Sequence, residues 1–276
     1  MRNETGTLFA VDADGIATLT LNEPARLNPI TTAIQQGTLA ALQRVREDTT
    51  IRAQVLTGSG KAFCVGADLD QLAAWAHSAQ GADSKRLGDQ VGDMMLQAAN
   101  PIIQQLHELP VPVVCAINGP AVGGGFGFAL AGDIVIAAQS AYFYLPFVPA
   151  LGLVPDMGAS WRLPRAVGHA RAMGMALLGE RVSAGQAAQW GLIWACVADA
   201  DLQPEAQRLA LRLAAMPAHS APETRALFRA AATTTLPEQL TYEMERQRKL
   251  INSEIFAEGL AAFQAKRKPI FAKRDR

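Results

Sequence analysis

An α/β core followed by an all-helical stretch is the fold class this sequence predicts, on three observations. Strand-like apolar runs alternate with helical spacing through residues 51–197, the pattern of βαβ units with buried parallel strands. From residue 202 onward only helical spacing remains. Half of the 276 residues are apolar, enough to bury a large core. The chain divides on this reading into an α/β core over residues 1–200 and a helical region over 201–276.

Each element follows from its pattern. Residues 7–21 alternate apolar and polar around Asp14-Gly15 and predict a β-hairpin. Residues 31–48 place Ile34, Leu39, Leu42 and Val45 at helical spacing. Ala53–Leu56 is a short apolar strand running into the turn Thr57-Gly58-Ser59-Gly60. Residues 70–110 read as helical apart from a polar break near 78–84. Val111–Ile117 is a buried strand, followed by Asn118-Gly119-Pro120 and a glycine-rich helix start. Ile134–Ala137 and Ala141–Phe143 are further strands, and the final helices are interrupted at 216–222 by a polar, proline-bearing stretch.

Composition excludes several function classes. Lys plus Arg equals Asp plus Glu at 25 each, so no overall field favours nucleic acid or a membrane surface. Three cysteines (Cys64, Cys115, Cys196) in apolar surroundings argue against a disulfide framework and fit a reducing compartment. No apolar run approaches the roughly 20 residues that span a bilayer, and the first residues lack the apolar stretch of a signal peptide. The expectation is a soluble, cytoplasmic protein, and no residue spacing suggests a metal site.

Five segments in order carry a resemblance to a known family. They are Leu21-Asn22-Glu23-Pro24 with Leu27-Asn28, then residues 58–69 (GSGKAFCVGADL), 110–138, 151–168 and 258–271. Together they resemble the crotonase superfamily, the enoyl-CoA hydratases and isomerases. The resemblance implies a spiral of ββα turns, a C-terminal helical trimerisation region, and a homotrimer or a hexamer of two trimers. It implies a CoA thioester as substrate and no separate cofactor.

In that family two backbone N–H groups hold the thioester carbonyl oxygen, and by motif these fall on Ala67 and Gly124. The residues support this independently, since Gly123-Gly124-Gly125 after a strand lets backbone approach a ligand at a helix start. The plainer alternative is that these glycines only permit tight helix–strand packing. Hydratases add water with two glutamates, whose places are taken here by Gly127 and by Phe147 after Pro146. Neither can move a proton, so two-glutamate hydration is not expected. The departures predict an acyl pocket with one wall enlarged and another made apolar, with Gly127, Pro146 and Phe147 as pocket residues.

Asp156 remains. Its setting resembles the ring-1,2-epoxyphenylacetyl-CoA isomerase branch, where an aspartate here shuttles the proton. Apolar neighbours such as Phe147, Leu153, Val154 and Met157 favour a raised pKa by desolvation. The plainer reading is a helix N-cap. A third uses Asp156 as a nucleophile, as in the related 4-chlorobenzoyl-CoA dehalogenases. Their water-activating histidine aligns with Asn100 here, with His77 and His107 nearest, which weakens that reading. Coenzyme A is expected against Ala25, Arg26, Val65, Asp68 and Leu69, with Phe263 and Lys266 supplied by the C-terminal helix. The lead function is isomerisation of an unsaturated acyl-CoA. The alternatives are an aspartate-dependent dehalogenase or thioester hydrolase and a non-catalytic acyl-CoA binder.

Overall fold

Strands of two to six residues build two sheets, and the alternation of their side chains decides which core each face joins. The computed structural model describes residues 6–78 and 85–271. The predicted hairpin is β1 (Thr7–Val11) antiparallel to β2 (Ile16–Leu21), with Asp12 and Gly15 closing the turn. Helix α1 (Thr32–Glu47) starts at Thr31, whose hydroxyl accepts the Ile34 N–H at 3.1 Å and satisfies one of the orphan donors of the first turn. Strand β3 (Ala53–Gly58) is buried along its whole length.

Helix α2 (Leu69–Ser78) follows, then α3 (Leu87–Met94), a π-helical turn (Met95–Ala99) and α4 (Asn100–His107). The polar break read near 78–84 lies, apart from Ser78, outside the described residues. Next come β4 (Val113–Ile117), β5 (Ala121–Val122), α5 (Gly124–Ala129), β6 (Ile134–Ala138) and β7 (Tyr142–Tyr144). A second π-helical turn (Phe147–Leu151) leads to α6 (Ala159–Val167) and α7 (His169–Leu178). β8 (Val182–Ser183), α8 (Ala184–Gln189) and β9 (Ala195–Val197) close the sheets. Four helices end the described chain: α9 (Leu202–Ala214), α10 (Ser220–Ala231), α11 (Leu236–Ile251) and α12 (Glu254–Gln264).

The large sheet runs in the order β1-β2-β3-β4-β6-β9 and is parallel from β2 onward, while β5-β7-β8 form a small sheet. Cys64 pairs with Ala121 beside that small sheet. The long strands β3, β4 and β6 are thus each followed by a short segment at the small sheet and then by a helix. This is the repeating ββα turn that the resemblance implied. Alternate residues of the large sheet face opposite cores. Leu56, Cys115 and Ala137 join the main core, whereas Val55, Ala116 and Ile136 face Leu202, Ala206 and Leu209 of α9. Helix α9 therefore covers one face of the sheet, and the change to helices at 202 does not mark where the packed core ends.

Candidate active site

The segments that follow the short strands converge at one place. Gly66 adopts φ +87°, and a Cβ there would lie 2.7 Å from the Val122 carbonyl oxygen and 3.0 Å from the Gly124 nitrogen. Only glycine allows both that conformation and that approach. The loop is fixed from its other side by the Ile30 N–H, which donates to the Gly66 carbonyl at 2.7 Å. Gly125 sets α5 equally close to the neighbouring segment, since a Cβ on it would lie 2.2 Å from the Cys64 carbonyl oxygen. Tight packing is thus real for Gly125, and it sits beside the arrangement of donors rather than replacing it. Among the described residues, no hydrogen bond takes up the Ala67 N–H or the Gly124 N–H. Gly124 opens α5, so its N–H belongs to the unsatisfied first turn of a helix.

Asp156 completes the constellation. Ala67, Gly124 and Asp156 line a single cavity of about 40 Å³, whose other walls include Leu72, Trp75, Met94 and Met95. A Cβ on Gly124 would lie 3.6 Å from Asp156 Oδ1. That oxygen is buried and has no hydrogen-bond partner. Burial pushes the Asp156 carboxyl up to about 6, only partly opposed by its own backbone N–H. The N-cap reading fails: α6 is preceded by Gly158 in the left-handed region, with no side chain capping it. The Asp156 carbonyl accepts the Ala159 N–H at 2.9 Å, which leaves the carboxyl group to the cavity.

A buried acid beside two unspent backbone donors suits chemistry in which a proton moves while charge gathers on an oxygen. The family model described as enoyl-CoA hydratase/isomerase matches residues 12–274. The chain belongs to the enoyl-CoA hydratase/isomerase family. It is 43% identical over 257 residues to the 1,2-epoxyphenylacetyl-CoA isomerase of Escherichia coli K12, covering 93% of this chain and 95% of that one. It is 32% identical over 255 residues to the 4-chlorobenzoyl coenzyme A dehalogenase-2 of an Arthrobacter species, covering 92% and 88%. The crystal structure of an enoyl-CoA hydratase from Polaromonas sp. JS666 superposes with a TM-score of 0.87 at 30% identity, covering 96% of this chain and 99% of the other.

Against the pattern of this hydratase/isomerase family, the two glutamate positions are closed rather than opened. Gly127 does not enlarge a pocket wall: a Cβ there would lie 2.4 Å from the Met157 carbonyl oxygen, so backbone already fills the space. Phe147 is buried and its ring tip reaches Gly123, 3.6 Å from where a Cβ would be. Gly127, Pro146 and Phe147 all lie outside the lining of the cavity. The walls that sequence reasoning missed come from α2, α3 and the π-helical turn, as Trp75, Met94 and Met95. The one signal for them was a polar residue on the buried face of α1. Gln35 donates to the Ile30 carbonyl at 3.1 Å and to Met94 Sδ at 3.4 Å, tying α3 to the Ile30 segment that holds the Gly66 carbonyl.

The residues expected to hold coenzyme A separate into two places. Ala25, Arg26, Val65, Asp68 and Leu69 sit around the first donor loop, with Leu69 largely exposed. Arg26 is engaged with protein carboxylates: its guanidinium donates to Asp68 at 3.1 and 2.5 Å and to Asp70 at 2.8 Å. The pair holds the Asp68 carboxyl below its ordinary range and raises the Arg26 guanidinium further. Phe263 and Lys266 stand exposed at the end of α12, apart from the cavity. No histidine lines the cavity among the described residues. Asn100 is exposed on α4, His77 bonds to the Ala73 carbonyl, and His107 packs edge-on against Trp161.

Proposed function

We propose that this protein isomerises an unsaturated acyl-CoA thioester, with Asp156 as the single acid/base. Asp156 takes a proton from C2 of a 3-enoyl thioester. The electron pair moves onto the carbonyl oxygen as a dienolate, and the Ala67 and Gly124 N–H groups hold that charge. The proton then returns at C4, leaving the conjugated 2-enoyl thioester with no net gain or loss of atoms. A donor aimed at developing charge is worth about 3–4 kcal/mol. The observation carrying the proposal is the unbonded, desolvated Asp156 oxygen beside Gly124 in an apolar cavity. The name of the 43% identical relative supports the same direction.

The test is turnover in deuterated water with 3-enoyl, 2-enoyl and cyclic unsaturated CoA thioesters. Double-bond migration or deuterium uptake that disappears in Asp156→Asn is the expected result. Binding without exchange turns the reading to a non-catalytic acyl-CoA binder. The relatives named as dehalogenases support a second reading, in which Asp156 attacks an activated ring; chloride or free-acid release distinguishes it. The proposal extends to a homotrimer or hexamer acting in the cytoplasm, in which Phe263 and Lys266 reach the coenzyme A of a neighbouring copy.

A further inference from the structure

We propose that Gly127 is a positioning residue for Asp156: its missing side chain is the seat of the Met157 backbone, and that seat aims the aspartate at Gly124. The inference rests on the acid/base reading of Asp156. It adds that a side chain at position 127 and a working aspartate at position 156 exclude each other.

The geometry is tight on both sides of α5. A Cβ on Gly127 would lie 2.4 Å from the Met157 carbonyl oxygen, 2.7 Å from its Cβ and 2.9 Å from its carbonyl carbon. These are backbone and near-backbone atoms, with no flexible end to swing aside. The helix has no room to retreat, because Gly125 faces the Cys64 carbonyl at a distance that no Cβ tolerates. All six residues of α5 are buried. An added methyl at position 127 therefore displaces Met157, since a close-packed interior offers no free volume. Met157 is itself buried and left-handed at φ +50°, followed by left-handed Gly158 at φ +76°. Non-glycine residues keep such a conformation only where their surroundings impose it. Asp156 directly precedes this pair, so a shift of Met157 moves the carboxylate away from Gly124 and towards water.

Placing a glutamate at 127, where hydratases carry one, unseats Asp156 and abolishes isomerisation without installing hydration.

The decisive variant is Gly127→Ala in the full chain, read first without any substrate. The Asp156 carboxyl is followed by carbon NMR in protein labelled at aspartate carboxyl groups, its resonance assigned by its loss in Asp156→Asn. The native protein is expected to titrate near about 6, where burial holds the carboxyl. Gly127→Ala is expected to lower this midpoint by about one unit or more as the carboxylate gains water. Turnover of 3-hexenoyl-CoA falls about 100-fold, with KM within about threefold, because the base is misplaced rather than the thioester site. Adding Met157→Gly, which tolerates the left-handed backbone and removes one clashing atom, restores turnover by about tenfold.

A folded Gly127→Ala with an unchanged midpoint and unchanged turnover overturns the inference. If Gly127→Ala does not fold, folding of the double variant upholds the Met157 contact as the cause, and its failure to fold overturns it. A fully active Asp156→Asn sinks the acid/base reading and this inference with it. An inactive Asp156→Asn beside a fully active Gly127→Ala sinks this inference alone.

Discussion

Burial raises the Asp156 carboxyl from 3.8 to about 6, and the sign of that shift has two consequences. Below about pH 3 the group is neutral whether the chain is folded or not, and it costs nothing. As the pH rises the unfolded chain ionises first, so stability is lost until the folded group has also ionised, above about 6. Asp156→Asn should therefore stabilise the fold at pH 7 by about 1–3 kcal/mol, taking about 1.4 kcal/mol per unit as the upper scale. The gain should vanish at pH 3.5, and denaturant midpoints at the two pH values check it. Destabilisation at pH 7 would show that the carboxylate has partners that offset its desolvation. Turnover should follow the opposite course: a base must be charged, so kcat/KM climbs through about pH 6 and levels above it. A profile falling through that range would make Asp156 the proton donor of the first step. The residue was legible in the sequence by its motif, but the expected desolvating neighbours were mostly wrong: Leu153 and Val154 are exposed, and the apolar walls are Trp75, Met94 and Met95 beside Met157. Its freedom from capping was not legible, because Gly158 rather than Asp156 precedes α6 in the N-cap position.

In the proposed oxyanion arrangement one donor comes from the Ala67 loop and one from the start of α5, and each can be broken separately. Gly124→Pro deletes one donor at the first residue of α5, a position where proline is otherwise well tolerated. Its rate should drop about 100-fold or more in a folded protein; a much smaller loss would remove Gly124 from the site. Arg26 tests the other loop. Its pairing with Asp68, the residue after Ala67, clamps the loop that carries the proposed first donor. Arg26→Leu leaves a mostly buried carboxylate without its cation, so kcat should fall about tenfold with KM little changed. A change confined to KM would return Arg26 to the coenzyme A phosphates. At this scale the alternation of long strands and helices was readable from apolar periodicity. Strands β5 and β8 were not, because two residues are too short to show a period. The π-helical turn at Met95–Ala99 also escaped, since it shifts side-chain register without changing composition; Met94 and Met95, at its start, line the cavity.

The helices after α9 leave apolar surface that one chain does not cover. Leu236, Leu240 and Met244 recur every fourth residue along α11 and are 71%, 54% and 45% exposed. Phe228 on α10 and Phe263 on α12 are 71% and 82% exposed. A monomer rarely keeps patches of this kind in water, and symmetric association is the usual way to bury them. The chain should sediment as three or six copies of its 29.4 kDa unit. Leu240→Glu with Met244→Glu should yield single chains, because two carboxylates cannot be buried in an apolar contact without partners. The same variant links assembly to the site. If Phe263 and Lys266 serve a neighbouring copy, the separated chain should bind a CoA thioester at least tenfold more weakly, the scale of about 1.4 kcal/mol. Its Asp156 should still titrate near 6, because Met157, Gly127 and Gly124 all belong to the one chain. Equal affinity in the separated chain would leave α12 with a purely structural part, and coenzyme A would then be held by the loops around Ala67 alone.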